Sequence, residues 1–193
     1  MPFIETTSDD AATGDTAAMF DEARGSFGFV PNFVRAFAAR PDVYRAWQQL
    51  NGAIKASSDL RRYELATVAA ARRLRSSYCA LQHGKLLAEQ FYDPQTVSGL
   101  PAGLDEADAA IMAFAEKVVD DAYSIGEEDV EQLRTLGLTD EEIVDVVLAA
   151  AARCFFSKTL DALGTLPDAA LSGLDPALRE ALTVGRPIEQ AQA

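Results

Sequence analysis

Two side chains at a short spacing have the chemistry of a thiol site with its own base. Cys79 and His83 stand four residues apart, so on a helix they are neighbours on one face. An imidazole in that position can accept the thiol proton directly or through one water, and a thiolate is the form that attacks a peroxide or a disulfide. We therefore interpret Cys79 as a nucleophile and His83 as its base.

A carboxylate upstream occupies an unusual place in its helix. Leu60, Glu64 and Val68 follow one another at steps of four, which places Glu64 inside an apolar stripe rather than opposite it. Burying an unpaired charge is unfavourable, so a carboxyl group there either has a raised pKa or meets a hydrogen-bond donor. Both outcomes suit proton transfer, and Glu64 completes the candidate site.

The elements that must position these residues are all predicted to be helices. Alanine dominates the apolar half of the composition, and long Val/Ile/Thr alternations are absent, so the composition favours packed helices over sheet. The sequence therefore predicts an all-α fold, a compact helical bundle. Caps and apolar periodicity place helices at 15–24, 34–39, 41–55, 59–75, 78–92, 105–121, 127–136, 139–163, 169–172 and 176–182.

The helices at 59–75 and 78–92 are predicted to form a hairpin that carries the site. Ser57 or Ser58 is expected to cap the first helix, and a short turn at Ser76 and Ser77 is expected to join the two. Cys79 then lies near the N-terminus of the second helix, where the helix dipole stabilises a thiolate. This stabilisation is independent of the imidazole.

Length and charge limit the function further. The 193 residues show no composition shift, which predicts one domain over 1–193, with 1–13 and 185–193 loose. The net charge of -13 argues against nucleic acid as a partner. The only basic cluster, at Arg61, Arg62, Arg72, Arg73 and Arg75, is interpreted as a solvated face or as intersubunit ion pairs rather than an anion site.

The location and the cofactor content are predicted from what the sequence lacks. The N-terminal residues resemble no signal peptide, and no apolar segment is long enough to span a membrane, so we expect a cytoplasmic protein without a membrane partner. Cys79 and Cys154 are the only cysteines and should be free thiols there. His83 is the only histidine, so we expect no metal site, and we predict no cofactor.

The segment from Glu64 to His83 resembles the signature of the alkylhydroperoxidase D and carboxymuconolactone decarboxylase superfamily. That signature reads Glu, eleven residues, Cys-x-x-Cys, three residues, His, and Glu64, Ser76, Cys79 and His83 stand at its four marked positions. The wider chain looks like the peroxidase-related branch of this superfamily, through Phe-Gly-Phe-Val-Pro-Asn at 27–32, Asp-Glu-Glu-Ile at 140–143 and Asp-Ala-Leu-Gly at 161–164.

The resemblance implies an all-helical homo-oligomer with sites near subunit contacts, in which a cysteine pair reduces hydroperoxides while Glu and His relay protons. Ser76 departs from it, because it replaces the first cysteine of the pair. The local disulfide cannot form, so the thiol that resolves an oxidised Cys79 must come from elsewhere. Cys154, in an apolar setting, is interpreted as structural. Tyr78, where alkylhydroperoxidase D proper has a second histidine, and Gln82 are accessory candidates together with Ser76.

Three functions remain open at this point. The first is a thiol-dependent hydroperoxidase or thiol oxidoreductase in which Glu64 and His83 activate Cys79, with a small hydroperoxide and an external thiol reductant as partners. The second is a proton-transfer enzyme similar to carboxymuconolactone decarboxylase, in which Cys79 only lines the pocket. The third is a non-catalytic oligomeric helical protein that binds a partner or a small ligand, for which Ser76 is the argument.

Overall fold

The computed structural model describes residues 2–190, and within this range the protein is all helical. No β-strand occurs between residues 2 and 190, so the predicted fold class is confirmed. Two short 3-10 helices lie at Ala122–Ser124 and Ala169–Gly173. The α-helices are α1 (Gly14–Phe27), α2 (Asn32–Ala36), α3 (Pro41–Ser57), α4 (Leu60–Arg73), α5 (Ser77–Gln90), α6 (Pro94–Ser98), α7 (Glu106–Asp121), α8 (Glu127–Thr135), α9 (Asp140–Ala162) and α10 (Pro176–Leu182).

Helix α4 is the centre of the bundle. All of its residues from Tyr63 to Ala71 are buried, and it packs against α5, α7 and α9. A helix that buries its whole circumference needs small side chains for close approach, and four of these nine residues are alanine. Glu64 therefore lies in a helix that other helices surround, which explains why its carboxylate is only 1% exposed.

The predicted hairpin of α4 and α5 is present, with small shifts of its boundaries. Helix α4 ends at Arg73, and α5 begins at Ser77 with Ser76 as its N-cap residue. The turn therefore lies one to two residues earlier than predicted, and it includes Arg75 in a left-handed conformation with φ of 57°. The cap of α4 is Asp59 rather than one of the two preceding serines, since its carboxylate accepts from the backbone N–H of Arg62 at 2.9 Å.

At other helix ends, the observed caps can be compared with those that the sequence predicts. The capping box of Thr139 and Glu142 is confirmed, with both reciprocal hydrogen bonds in place. Helix α1 continues through Gly25 and ends at Phe27, followed by Gly28 as the C-terminal capping residue with φ of 80°. Helix α6 was not predicted, although the carboxylate of Asp93 caps it by accepting two backbone N–H groups.

The basic cluster on α4 forms ion pairs within the chain. Arg61 pairs with Asp108 and Arg73 with Asp120, both on α7, while Arg62 pairs with Glu142 at the start of α9. The guanidinium of Arg72 donates to the Leu100 carbonyl at 2.7 Å. These four arginines connect α4 to its neighbours within the chain, while Arg73 stays 53% exposed, so the interpretation of the cluster as a solvated face or as intersubunit ion pairs remains a prediction. Among residues 2–190, none of the helices combines the length and hydropathy of a membrane span.

The segments predicted to be loose lie outside the α-helices but contact them in their described parts. Asp9 forms ion pairs with Arg24 and Arg35. Near the other end, the Gly185 N–H donates to Ser77 Oγ at 2.7 Å, and a Cβ added to Gly185 would lie 1.9 Å from the carbonyl oxygen of Arg75. Position 185, which packs against the turn before α5, therefore accepts only glycine. Met1 and residues 191–193, which belong to the same predicted segments, lie outside the described residues.

Candidate active site

The hairpin places the three predicted site residues on two packed helices. Glu64 lies in the second turn of α4, Cys79 in the first turn of α5, and His83 one turn further along α5. Glu64 and Cys79 are 1% and 2% exposed, while the side chain of His83 keeps 15% of its surface accessible. His83 is therefore the member of the trio through which solvent reaches the site.

Glu64 and His83 form a direct hydrogen bond. His83 Nδ1 lies 2.5 Å from Glu64 Oε2, and Lys55 Nζ of α3 lies 3.1 Å from the other carboxylate oxygen. A buried carboxylate accepts hydrogen bonds, so the imidazole donates from Nδ1. The tautomer with its proton on Nδ1 leaves Nε2 as the basic nitrogen. Of the two outcomes predicted for Glu64, the structure shows the second, in which the carboxylate meets donors.

The electrostatics of this pair keep the carboxylate charged and the imidazole neutral. Burial alone would raise the pKa of Glu64, but the hydrogen bond from His83 and the charge of Lys55 hold that pKa below its ordinary value. Burial lowers the pKa of His83, and the positive charge of Arg153 lowers it further, against the opposite influence of Glu64. At neutral pH the site therefore contains a neutral imidazole that can accept a proton.

Acidification is expected to destabilise the folded protein through His83. The unfolded chain binds a proton at His83 near pH 6.5, whereas the folded protein keeps the imidazole neutral to lower pH. The unfolded state then binds more protons, so the free energy of unfolding falls as the pH is lowered from about 7 to about 5.5, by at most about 1.4 kcal/mol per pH unit. Urea unfolding at both pH values should show a smaller loss for His83→Gln. Equal losses in both proteins would contradict the lowered pKa.

The structure gives Cys79 a hydrogen-bonding partner that differs from the predicted one. Arg153 Nη1 of α9 donates to Cys79 Sγ at 3.6 Å. No hydrogen bond joins Cys79 to His83 among the described residues, although both lie on α5 one turn apart. The predicted direct proton transfer is therefore absent from this arrangement, and the transfer through one water stays a prediction.

Arg153 belongs to a polar cluster enclosed by aromatic rings. The guanidinium lies 6.0 Å from the ring centre of Trp47 and 5.6 Å from that of Phe156. Its Nη2 donates to the hydroxyl of Tyr63 at 3.5 Å, and the Tyr63 ring stands edge-on to His83 with centroids 6.3 Å apart. Tyr63 therefore lies between Arg153, which binds the thiol of Cys79, and the imidazole of His83.

Comparison with solved structures identifies the architecture. This chain aligns over 96% of its length with 98% of the alkylhydroperoxidase AhpD core of an uncharacterized peroxidase-related protein from Ralstonia eutropha JMP134, with a TM-score of 0.77 and 23% identity. An uncharacterized peroxidase-related protein from Silicibacter sp. TM1040 gives the same TM-score and identity over 89% of this chain and 96% of its own. The chain has the alkylhydroperoxidase D fold.

The same fold occurs in a protein of a different stated activity. A cysteine-to-alanine variant of the debrominase Bmp8, in complex with 2,3,4-tribromopyrrole, aligns over 94% of this chain and 98% of its own, with a TM-score of 0.70 and 15% identity. No protein-family model and no curated protein matches the sequence. The resemblance stated from the sequence is thus confirmed for the fold, and a shared fold does not by itself determine the reaction.

In this alkylhydroperoxidase D fold, the position of the missing cysteine is fully enclosed. Ser76 is 0% exposed, and as the N-cap residue of α5 its side chain makes no capping hydrogen bond. Cys154 on α9 is half-buried, and burial raises the pKa of its thiol. That shift favours the protonated thiol, consistent with the structural role predicted for Cys154.

Among the described residues, the side chains of the accessory candidates Tyr78 and Gln82 form no hydrogen bond with Glu64 or His83. The Tyr78 hydroxyl donates to Asp168 and accepts the Phe33 N–H at 3.3 Å, while the other oxygen of Asp168 accepts the Asn32 N–H at 2.8 Å. Tyr78 therefore anchors the Phe-Gly-Phe-Val-Pro-Asn loop. Gln82 lines a separate cavity of about 600 Å³ next to that loop, together with Phe27, Phe29, Lys85 and Asp168.

Sequence reasoning missed three residues of the cluster. Arg153, Lys55 and Tyr63 were not singled out, and each lies on a different helix. A signal for Arg153 was present, because it interrupts the apolar segment 146–156 in the same way that Glu64 interrupts its stripe. Lys55 and Tyr63 carry no such signal, since a lysine near a helix end and a tyrosine in a core are ordinary.

Proposed function

We propose that this chain is a thiol-dependent hydroperoxide reductase that uses Cys79 as its reacting thiol. The observation that carries the proposal is the Glu64–His83 hydrogen bond, which holds a neutral imidazole one helical turn from a buried cysteine. The alkylhydroperoxidase D fold and the peroxidase-related names of two structural neighbours support the reaction class. The substrates are a small hydroperoxide and an external thiol.

The proposed first step oxidises the sulfur by two electrons. His83 Nε2 takes the Cys79 proton, through a water because the two groups share no direct hydrogen bond. The thiolate then attacks the terminal peroxide oxygen, so that an S–O bond forms as the O–O bond breaks. The leaving alkoxide takes the proton back from His83 and departs as an alcohol. Glu64 stabilises the imidazolium that exists between the two proton transfers.

The return of the thiol requires two molecules of the external reductant. Since Ser76 supplies no local thiol, the first external thiol condenses with the sulfenic acid, which gives a mixed disulfide and one water. A second external thiol attacks the mixed disulfide, which releases Cys79 and the oxidised reductant. The overall reaction converts a hydroperoxide and two thiols into an alcohol, water and a disulfide.

The direct test is the mass of the protein after one equivalent of hydroperoxide. We expect the wild-type chain to gain one oxygen atom, peptide mapping to place it on Cys79, and the external thiol to remove it. An unmodified Cys79 under conditions that oxidise a free thiol would overturn the proposal. In that case the proton-transfer enzyme and the non-catalytic binding protein become the better interpretations.

We also propose that the protein is a homo-oligomer that associates through α3 and α9. Val144, Leu148 and Phe155 repeat at steps of four and seven on α9 and are 54%, 41% and 46% exposed. Leu50 of α3 is 54% exposed. Trp47, also on α3, has its ring centre 5.4 Å from that of Phe155 on α9. The exposed apolar residues of α9 and Leu50 of α3 therefore lie on adjoining helices. A second copy of the chain would present the same apolar surface to them.

The oligomer is tested by sedimentation of the wild-type chain and two lysine variants. We expect the wild type to sediment above the monomer mass of 20.7 kDa, and Leu148→Lys to weaken association at least about tenfold because it places a charge in the apolar stripe. Tyr123→Lys is the matched control, since Tyr123 is 98% exposed outside the stripe. A monomeric wild type, or equal association in both variants, would contradict this interface.

A further inference from the structure

Arg153 is a buried cation for which the described residues provide no carboxylate partner. It is 3% exposed in the middle of α9, and none of the ion pairs among residues 2–190 includes it. Glu64 contributes to its electrostatic environment, but the two oxygens of Glu64 bind Lys55 and His83. A guanidinium cannot lose its charge by deprotonation, so this charge needs another counter-ion.

The two hydrogen-bond acceptors of Arg153 are both groups that can become anions. They are Cys79 Sγ at 3.6 Å from Nη1 and the Tyr63 hydroxyl at 3.5 Å from Nη2, while Nε has no partner. A neutral thiol is a weak acceptor, whereas a thiolate accepts a charge-assisted hydrogen bond. Of the two acceptors, only the sulfur is a reacting atom in the proposed function, and only its anion is a strong nucleophile.

We propose that Arg153 is a catalytic residue, the fixed positive charge that stabilises Cys79 as a thiolate and directs its reactions toward anionic partners. The inference rests on the proposed role of Cys79 as the reacting thiol and adds a residue to it. Arg153 and His83 then have different roles. His83 moves the proton, and Arg153 stabilises the negative charge on the sulfur until it attacks the peroxide.

The thiolate itself is the first observable, and it does not depend on reagent access. All proteins carry Cys154→Ser so that one thiol remains. The far-ultraviolet thiolate absorbance at pH 7 is measured for this background with and without Cys79→Ser, and the difference reports Cys79 alone. We expect Arg153→Met to lower the ratio of thiolate to thiol at Cys79, which this signal reports, at least about tenfold because a charge-assisted hydrogen bond is lost. Arg153→Lys should keep most of it.

The preference for anionic partners is the second observable. We expect Cys79 to favour iodoacetate over iodoacetamide more strongly than a free thiol does, and Arg153→Met to reduce this ratio several-fold. A merely structural arginine would change both rates together and leave the ratio unchanged. Arg73→Gln is the matched control, because its guanidinium pairs with Asp120 at the surface, and it should alter neither observable.

The outcomes separate this inference from the proposed function. An unchanged thiolate signal in Arg153→Met would overturn the inference and leave the peroxidase proposal standing. A thiolate that depends on Arg153, in a protein whose Cys79 gains no oxygen from hydroperoxide, would refute the peroxidase proposal alone. If Arg153→Met does not fold, the neutral but polar variant Arg153→Gln takes its place: loss of the thiolate in the folded variant supports the inference, and a retained thiolate overturns it.

Discussion

Cys79→Ser is expected to lower thiol-dependent hydroperoxide reduction by about a thousandfold or more. Serine has nearly the size of cysteine, so the buried position beside Arg153 stays filled, but its hydroxyl neither ionises at neutral pH nor forms a sulfenic acid. The measurement is the initial rate of hydroperoxide consumption with saturating external thiol. The loss should appear in kcat, because the missing group takes part in the chemical step.

Cys154→Ser is the matched control for this experiment. Cys154 is the other thiol of the chain and lies half-buried on α9, and we expect its replacement to change the rate by less than about twofold. Equal losses in both variants would show that Cys154 is the resolving thiol after all. Full activity of Cys79→Ser toward a small carboxylic acid would instead favour the proton-transfer enzyme.

Ser76→Cys is expected to raise peroxide turnover at least about tenfold when the external thiol is limiting. Ser76 and Cys79 are separated by two residues at the start of α5, so a thiol at 76 would meet the sulfenic acid of Cys79 within the same helical turn. The effective concentration of a tethered thiol is in the millimolar range or above, which exceeds a dilute external reductant. The resolving step then becomes intramolecular.

The product of this variant after one equivalent of peroxide is equally diagnostic. We expect an intramolecular disulfide, so the mass should fall by two hydrogens instead of rising by one oxygen. Ser76→Ala is the control, since it removes the buried hydroxyl without adding a thiol, and it should behave as the wild type does. A Ser76→Cys protein that keeps a stable sulfenic acid would show that the two positions do not meet.

The effect of Ser76→Cys depends on whether the rest of the site is catalytically competent. A scaffold that gains turnover from one added thiol would contain the complete proton relay of Glu64 and His83 and lack only the resolving thiol. A scaffold that gains nothing would favour the non-catalytic interpretation, in which the site remains as a buried polar cluster.

The parts of this protein that the sequence determines are local. The helices follow from composition, caps and periodicity, and the capping box of Thr139 and Glu142 is confirmed because its two hydrogen bonds close within three residues. The four-residue spacing of Cys79 and His83 places them on one face of α5 whatever surrounds it. Glu64 could be singled out because a carboxylate in an apolar stripe is unfavourable unless it is paired.

Only the tertiary structure decided which groups actually meet. Glu64 binds His83 because α4 and α5 pack in a particular register, which depends on the turn at Arg75 and on the small residues of α4. Arg153 reaches Cys79 across 74 residues of sequence, and no local pattern encodes that distance. The sequence by itself determined a cysteine with a histidine one turn away, while long-range packing decided that a buried guanidinium, and not the imidazole, is the direct hydrogen-bonding partner of the thiol.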